Sequence, residues 1–496
     1  MGEEATDRRL KGENGGGPAA YSTTAFSLIY WLLNAGYYFL SLSAFRSFNF
    51  QGGSMKDRPW LRRIITVCAI SRVLCFGAEG RAELQPGDML NASTWQQAKE
   101  LLPEAILRRF ANGQHISQVI TLPPEALQYG TRFRQLTEAN QGKYDVNQRG
   151  VLIETGTGTW PRYRAGGFPF PVVDQNDPKA AYKIIYNFVS RGGPVDDVDV
   201  LLNIFWVDKK GLNRYVDFAG KVLSYGSRWS GPIANPDEVA GKSLGYGINP
   251  YDVVGIATLG WSYLDPDKWD SRWAFIPVIR RVRRLNAANT SDGFLGSHWS
   301  ANDAGLFAGK IQYFDWKLIG NREALVPYTL PTPKYWEKSE RGLVLPANEN
   351  AAIMPWLGKN KKFTESGQQW SGAAWWPVNL HVAKRPVWIV EITPKDPYFA
   401  YGRQILWIDK DLYRAYYKEV YTRSGEYWKT FLLAGGIALS RDNAFSTPQS
   451  DYGVAIDEHH TEANVVLPLR EGNDIRVNVG LDSELFSYQG LTRLGK

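Results

Sequence analysis

The stretch Gln404-Ile-Leu-Trp-Ile-Asp-Lys-Asp-Leu-Tyr-Arg-Ala-Tyr-Tyr-Lys-Glu-Val-Tyr421 decides the fold. A short apolar segment ends at Ile408, the polar Asp409-Lys410-Asp411 follows, and an aromatic-rich segment runs back, which is the pattern of two strands joined by a turn. A further apolar segment, Pro386–Ile392, lies just upstream. These segments predict an antiparallel meander with large apolar side chains on at least one face of a wide sheet. Such a face needs either covering elements or a ligand.

The composition allows a large hydrophobic core. Of the 496 residues, 44% are hydrophobic and 14% are aromatic, including 19 Trp. The net charge is +7, but residues 1–82 contain 10 Lys or Arg against 6 Asp or Glu, a net +4, so the rest of the chain carries only +3. A main body this close to neutral argues against nucleic acid as a partner.

Both cysteines, Cys68 and Cys75, lie in an apolar N-terminal stretch. The residues after Phe76 therefore have no disulfide, no cysteine zinc ligand and no cysteine nucleophile. The absence of cysteine from this part of the chain fits an oxidising compartment.

The N-terminal region has two candidate beginnings. Phe26–Phe45 is a 20-residue run without a formal charge, long enough to cross a bilayer. A basic segment then follows Met55, with an apolar stretch and the sequence Gly80-Arg81-Ala82, which has a small residue on each side of Arg81, before Glu83; this order is typical of a secretory signal peptide. We predict that Met55 is the true start; the alternative is a membrane anchor followed by an ordinary helix. Either organisation predicts a body in the periplasm or outside the cell.

The pattern along the chain predicts several regions. They are an over-extended N-terminus or anchor at 1–54, a signal peptide at 55–82, a helical region at 83–150, a β domain at 151–430 with an irregular insertion at about 331–379, and a C-terminal extension at 431–496.

One helix within the β domain is well marked. Asp177 is a natural N-cap and Pro178 a natural first helical residue. Apolar side chains recur after them at helical spacing, which predicts a stripe that lies across the sheet. The stripe consists of Ala181, Ile184, Ile185 and Phe188. Its simplest role is packing, and its alternative role is a lid over a cavity.

An ordered series of short segments extends from about Gly166 to Thr430. The segments are Phe168-Pro-Phe-Pro171, Asp177-Pro-Lys-Ala-Ala181, Arg280-Arg-Val-Arg-Arg-Leu285, Thr290-Ser-Asp-Gly293, Phe314-Asp-Trp-Lys-Leu-Ile-Gly320, Val326-Pro-Tyr328, Arg385-Pro-Val-Trp-Ile-Val-Glu391, Gln404-Ile-Leu-Trp-Ile-Asp409 and Gly425-Glu-Tyr-Trp428. This series resembles a bacterial exported family of uncharacterised domains that is described as outer-membrane lipoprotein-sorting-like. The insertion and the tail after Phe431 depart from the family pattern.

The resemblance implies a fold and a function. The fold would be a mainly β, incomplete antiparallel barrel whose concave, apolar side is covered by helices, as in periplasmic lipoprotein carriers. The function would be non-enzymatic binding or transfer of a lipid, a lipoprotein acyl chain or another apolar compound in the periplasm, with an association with the outer membrane. The implied partners are a resistance-nodulation-division-type exporter and an outer-membrane barrel protein. A likeness of fold does not by itself establish function.

Candidate ligand contacts are rings and arginines. Rings on the sheet would line an apolar site, with ordinary core packing as the alternative for each of them. These rings are Phe205, Trp206, Trp388, Trp407 and Tyr416. The planar guanidinium group of arginine binds phosphate or carboxylate groups well, so we expect the densest cationic cluster to contact a lipid headgroup or an acidic partner. The alternative is that these arginines form salt bridges with neighbouring strands. This cluster is Arg280, Arg281, Arg283 and Arg284. On a strand, Arg281 and Arg283 would face opposite to Arg280 and Arg284.

Catalysis has little support in the sequence. The five histidines are scattered, and the adjacent His459 and His460 indicate a solvated polar loop more than a metal site. Gly156-Thr-Gly158 follows a strand candidate, but Pro161 stands where a dinucleotide motif needs its third glycine. We therefore predict no enzyme activity, no cofactor and no metal.

Two other classes stay open. The many tryptophans also suit a secreted carbohydrate-active hydrolase, which glycan binding with hydrolysis would support. The aromatic content and short strands also suit an outer-membrane β-barrel, although the C-terminal Leu494-Gly495-Lys496 lacks a terminal aromatic strand. Solubility without detergent after removal of residues 1–82 would exclude the barrel.

Overall fold

The computed structural model describes residues 83–285, 290–347, 352–356, 370–468 and 475–494. These residues belong to one compact unit, Arg81–Lys496. The N-terminal segment predicted at 1–54, the signal peptide predicted at 55–82 and both cysteines lie outside the described residues, as do parts of the insertion predicted at about 331–379.

The helices of the described residues are short. The α-helices are α1 (Glu104–Ala111), α2 (Thr131–Ala139), α3 (Ala180–Ser190) and α4 (Tyr488–Leu494). The 3-10 helices are Trp95–Ala98, Pro124–Leu127, Pro277–Ile279, Phe294–Gly296, Ala301–Leu306, Ile311–Tyr313 and Ser483–Phe486. In the part of the chain that the structure describes, no helix combines the length and apolarity that a bilayer crossing requires.

Strands make up most of the regular structure. The strands before the predicted insertion are β1 (Met89–Leu90), β2 (Ser117–Ile120), β3 (Tyr144–Val146), β4 (Leu152–Glu154), β5 (Asp197–Asp208), β6 (Gly211–Ser224), β7 (Val239–Asn249), β8 (Ala257–Tyr263), β9 (Ser271–Ile276), β10 (Arg281–Leu285) and β11 (Phe314–Tyr328). The remaining strands are β12 (Lys334–Lys338), β13 (Leu343–Leu345), β14 (His381–Pro394), β15 (Gln404–Asp409), β16 (Ala415–Tyr421), β17 (Tyr427–Ala434), β18 (Ile437–Ser440), β19 (Ser446–Pro448), β20 (Tyr452–Asp457), β21 (Glu462–Leu467) and β22 (Ile475–Val477).

Twenty of these strands are hydrogen-bonded into one sheet, and β3 and β4 form a separate pair. The main antiparallel run has the order β10–β9–β8–β7–β6–β5–β21–β20–β17–β16–β15–β14–β11. Its outermost strands, β10 and β11, do not pair with each other in the described residues, so the sheet is open. The predicted fold class, a large antiparallel sheet that is not closed into a barrel, is confirmed.

The hairpin predicted from residues 404–421 is confirmed as β15 and β16. Its turn is anchored to the neighbouring strand, because the buried Asp409 carboxylate accepts hydrogen bonds from Arg385 Nε at 2.9 Å and Arg385 Nη2 at 3.1 Å. The same carboxylate accepts a hydrogen bond from Leu412 N at 2.9 Å. The polar turn residue is therefore held by an ion pair inside the fold.

Alternation along the strands gives the sheet two faces. Neighbouring residues on what we call the front face are Val390, Leu406, Lys418, Phe431, Ala455, Asn464 and Trp206. Neighbouring residues on the back face are Ile389, Trp407, Tyr417, Leu432, Val454, Val465 and Phe205.

Helices cover both faces. The stripe predicted on α3 is confirmed: Ala181, Ile184, Ile185 and Phe188 are buried in the front core, together with Phe133 of α2. Helix α1 packs its apolar side against the back face. Helix α4 and the turn before it pack on the back of β6–β9 through Phe486 and Leu491.

The remaining strands extend the sheet on its flanks. Strand β2 pairs in parallel with β14, and the series β22, β13, β12 and β18 leads away from the start of β5. The region predicted as an insertion contributes β12 and β13 to this flank. The region predicted as a C-terminal extension contributes β20 and β21, which lie between β17 and β5 and join the two halves of the main run.

Candidate ligand-binding site

The front face of β5–β10 differs from the rest of the sheet in having short side chains. One row of neighbouring positions across these strands is Val200, Gly220, Gly245, Thr258, Ala274 and Arg283. The adjacent row is Val222, Ser243, Gly260 and Arg272. We call these two rows the small-residue surface. Its central side chains are short, and larger neighbours lean over the glycines: a Cβ atom on Gly220 would lie 3.3 Å from Val200, and one on Gly260 would lie 2.6 Å from Ser243.

Glycine is required at the centre of this surface. A Cβ atom built on Gly245 would lie 2.7 Å from the Phe218 ring, too close for any other residue without displacing that ring. Phe218 in turn meets Phe294 edge to face at 4.9 Å between ring centroids. A partly exposed aromatic pair therefore borders the small-residue surface on the β5–β6 side.

A short segment, Phe294–Gly296, crosses this border, and we call it the strap. Trp206 Nε1 donates a hydrogen bond to the Gly296 carbonyl oxygen at 3.3 Å. Arg214 Nη2 donates one to the Leu295 carbonyl oxygen at 2.8 Å, and its guanidinium stacks 4.0 Å from the Trp206 ring. The strap is thus attached to the sheet by two hydrogen bonds from exposed or half-buried side chains.

On the opposite side, the surface leads to a cavity of about 290 Å³. Tyr186 and Val189 of α3 form one wall, and Ser262 and Leu264 at the end of β8 form another. Ser262 lies on the front face, because it pairs with Gly241 in the register that also places Thr258 there. The cavity therefore opens on the same face as the small-residue surface.

A smaller cavity of about 50 Å³ adjoins the first one, since Asp270, Ala308, Gly309 and Lys310 line both. Arg272 from the small-residue surface lines the smaller cavity. Lys310 Nζ lies 3.7 Å from the Asp270 carboxylate and donates a 2.7 Å hydrogen bond to the Asp265 carbonyl oxygen. Burial lowers the pKa of Lys310. We call the two cavities together the cleft.

Arg164 is the unusual charge in the cleft. Its Nη1 atom is enclosed by protein and has no hydrogen-bond partner among the described residues. Burial lowers the pKa of Arg164, and the groups that oppose this shift are the phenols of Tyr144 and Tyr186. The Arg164 side chain as a whole is half-buried, and a guanidinium partly removed from water is stabilised by a carboxylate partner, because an unpaired charge in a low-dielectric site is costly.

The five predicted rings do not converge on one surface. Trp388 is buried in the front core, whereas Phe205, Trp407 and Tyr416 are buried in the back core. The polar atoms of two of them are used internally: Trp407 Nε1 donates to Glu419 at 2.8 Å, and the Tyr416 hydroxyl is 2.6 Å from the Tyr328 hydroxyl. Trp206 alone among the five is half-exposed, and it contacts the strap, six residues along β5 from Val200 of the small-residue surface.

The predicted arginine cluster lies on the β9–β10 hairpin. Arg281, Arg283 and Arg284 belong to β10 and are exposed, whereas Arg280 precedes the strand in the left-handed region with φ of 47°. Arg280 therefore does not take part in the strand alternation that the sequence predicted for it. Within the described residues, none of the four forms an ion pair with a carboxylate, so the salt bridges considered as the alternative are not formed there.

Sequence reasoning missed both the small-residue surface and Arg164. A detectable signal was present in β7, where Gly241, Gly245 and Gly247 all fall on one strand face, although glycine normally weakens a strand. No comparable signal marks Arg164, because its surroundings come from segments far apart in the sequence.

In the part of the chain that the structure describes, no group of three or more His, Cys, Asp or Glu side chains is arranged to hold a metal ion. His459 and His460 lie in the turn after β20, which the Asp457 carboxylate caps by accepting hydrogen bonds from both backbone N–H groups.

Comparisons with known proteins find one family model and several similar solved structures. Residues 89–461 match the family model described as "Protein of unknown function (DUF1329)". No protein with curated annotation matches the chain.

Three similar solved structures are described by their sequence identity, their TM-score and the share of each chain that is covered. A putative outer membrane lipoprotein-sorting protein domain from Vibrio parahaemolyticus is 18% identical, with a TM-score of 0.41 over 63% of this chain and 97% of that one. A DUF1329 family protein from Desulfovibrio piger is 16% identical, with a TM-score of 0.41 over 63% and 98%. A LolA superfamily protein from Nitrosomonas europaea is 15% identical, with a TM-score of 0.35 over 62% and 98%.

Proposed function

This chain belongs to the DUF1329 family, and from that premise we propose that it is a non-enzymatic protein that binds and transfers a hydrophobic molecule in the bacterial periplasm. The cargo class is a lipid, a lipoprotein acyl chain or another apolar compound. The carrier-like fold of the sheet and its helices supports a binding role.

The observation that carries the proposal is the contrast between the two halves of the front face. On β14–β17 this face is buried beneath α2, α3 and the residues next to them. On β5–β9 the two rows of the small-residue surface have valine, glycine, serine, threonine and alanine side chains beside Arg272, and Val222 is 40% exposed. Because these short side chains lie outside the core that α2 and α3 cover, the small-residue surface is the proposed binding site.

The energetics suit an extended apolar chain. Each methylene group removed from water contributes about 0.8 kcal/mol, so ten methylenes give roughly 8 kcal/mol before the costs of ordering the ligand. The short side chains let such a chain approach the sheet closely. Trp206 and Phe218 would flank it at the strap, and the cleft beneath α3 would receive its other end.

The other predicted residues have supporting roles in this proposal. Phe205, Trp388, Trp407 and Tyr416 build the two cores on which the open half of the sheet rests. The exposed arginines of the β9–β10 hairpin would meet lipid headgroups or an acidic surface of a partner. A resistance-nodulation-division-type exporter and an outer-membrane barrel protein are the proposed partners, and an association with the outer membrane fits them.

Thr258 offers a direct test, because it lies at the centre of the small-residue surface. In the mature exported protein, Thr258→Phe should fill the space above β8 and weaken binding of the neutral apolar probe N-phenyl-1-naphthylamine at least tenfold. Thr258→Val is the matched control, since it keeps the side-chain volume and should bind as the unmodified protein does. Fluorescence titration measures the three affinities.

Equal affinities for the two variants would place the probe elsewhere, and a protein that binds no apolar probe would contradict the proposed function. Mass spectrometry of molecules retained by the purified protein identifies the natural cargo. Hydrolysis of a glycan by the purified protein would instead favour the carbohydrate-active alternative.

A further inference from the structure

We infer that the cargo is an anionic amphiphile, and that Arg164 holds its carboxylate or phosphate oxygens in the cleft while its apolar chain lies along the small-residue surface. This inference rests on the proposed function and specifies the chemical class of its ligand.

The first argument is the state of the Arg164 guanidinium. It lines the larger cavity, its Nη1 atom is enclosed, and no described carboxylate forms an ion pair with it. A guanidinium presents a planar fork of donors that matches a carboxylate or phosphate. An oxyanion that enters the cavity would supply the missing counter-charge through the guanidinium atoms that the protein does not enclose.

The second argument is that the neighbouring polar groups are already engaged. The Tyr186 hydroxyl accepts a hydrogen bond from Leu152 N at 2.9 Å and donates one to the Gly150 carbonyl oxygen at 2.8 Å. Asp270 accepts a hydrogen bond from Ser262 Oγ at 2.9 Å and faces Lys310. Neither group forms a hydrogen bond to Arg164.

Among the charged side chains that line the cavity, cations outnumber carboxylates. Arg164 and Lys310 line it with a single carboxylate, Asp270. Two further carboxylates, Asp265 and Asp267, raise the pKa of Lys310 but do not affect the pKa of Arg164. Asp267 also has its own partner, Arg149. An anion is thus the complementary ligand.

The third argument is continuity with the apolar site. The Arg164 backbone N–H donates to the Gly226 carbonyl oxygen at 2.8 Å, which fixes Arg164 beside the end of β6. Ser262 in the cavity wall and Thr258 on the small-residue surface are on the same face of β8, about 13 Å apart at 3.3 Å per residue. One ligand with an acidic head and an apolar tail can therefore occupy both places.

Laurate and dodecanol test the inference, because they share a tail and differ in the charge of the head. Displacement of N-phenyl-1-naphthylamine from the mature protein measures both affinities. The unmodified protein should bind laurate at least tenfold more tightly than dodecanol. Arg164→Gln should bind both equally, with the dodecanol affinity unchanged, and Arg164→Lys should keep part of the preference.

Arg162→Gln is the matched control, since Arg162 is exposed, is paired with Glu238 and lies two residues away. It should keep the preference of the unmodified protein for laurate. Thermal unfolding checks that Arg164→Gln is folded, and we expect a stability close to that of the parent because no described carboxylate is paired with Arg164.

Each result has a defined meaning. The inference would be overturned if Arg164→Gln still preferred laurate. It would also be overturned if the unmodified protein bound dodecanol as tightly as laurate. Either result would leave the proposed function standing. Competition by inorganic phosphate at the laurate concentration would indicate a site for free anions and also overturn it. Failure to bind the probe, laurate and dodecanol alike would contradict the proposed function itself.

Discussion

At the scale of single residues, two lysines on the front face differ in how their charge is compensated. Lys418 Nζ donates to Asp303 Oδ1 at 2.7 Å, and both side chains are fully buried. Lys429 Nζ instead donates to the His298 carbonyl oxygen at 3.2 Å and lies 4.3 Å from the Trp428 ring. Lys429 is thus buried without a carboxylate in direct contact, which makes its charge unfavourable to folding.

This difference predicts a pH-dependent stability. Burial lowers the pKa of Lys429 from 10.5 to about 8, against the charges of Asp303 and Asp457, which raise it. Between these values the unfolded chain binds the proton and the folded chain does not, so stability rises with pH through this interval. We expect the free energy of unfolding of the unmodified protein, measured relative to that of Lys429→Met, to increase by about 2 kcal/mol from about pH 7 to about pH 9.5. Urea unfolding of both proteins at the two pH values measures this difference. A difference between the two proteins that stays constant with pH would contradict this assignment.

At the scale of elements, the front face is covered in two different ways. Helix α3 is held by apolar packing, as its sequence stripe predicted. The segment Ala301–Leu306 is held by a buried polar network instead: the Asp303 carboxylate receives hydrogen bonds from Ser300 Oγ at 2.6 Å and Tyr401 OH at 2.8 Å, besides the Lys418 ion pair. Periodicity predicts the first kind of cover, but the second depends on partners about a hundred residues away.

The polar network should therefore be sensitive to the loss of one member. Asp303→Asn leaves the Lys418 charge buried without its partner and should lower the free energy of unfolding by about 3–5 kcal/mol. The double variant Asp303→Asn with Lys418→Met should recover much of this loss, since both charges are then absent. Urea unfolding measures the three proteins, with Asp252→Asn at an exposed turn as the control. If Asp303→Asn were as stable as the control, the ion pair would not stabilise the packing of Ala301–Leu306 on the sheet.

At the scale of the whole molecule, the sequence predicted the sheet better than the site. Strand alternation and turn residues are local, so the hairpin at 404–421 and helix α3 could be predicted correctly. The small-residue surface requires the register of Gly220, Gly245, Thr258 and Ala274 on four strands, and no local pattern gives that register. Register also explains the separated rings: Ile389, not Trp388, is opposite Trp407, so the two tryptophans face opposite ways.

The open sheet has a consequence for association between molecules. Strand β10 is outermost and pairs only with β9 in the described residues, so one row of its backbone groups is free to join another chain. Charged side chains on such a margin discourage edge-to-edge polymerisation. Like charges on Arg281, Arg283 and Arg284 would meet their own copies if two identical margins approached. Serine at all three positions should therefore give larger, concentration-dependent particles in light scattering. Serine at the exposed Arg108, Arg134 and Arg493 is the control and should not. Equal particle sizes for the two triple variants would mean that repulsion between the β10 arginines does not prevent edge-to-edge association.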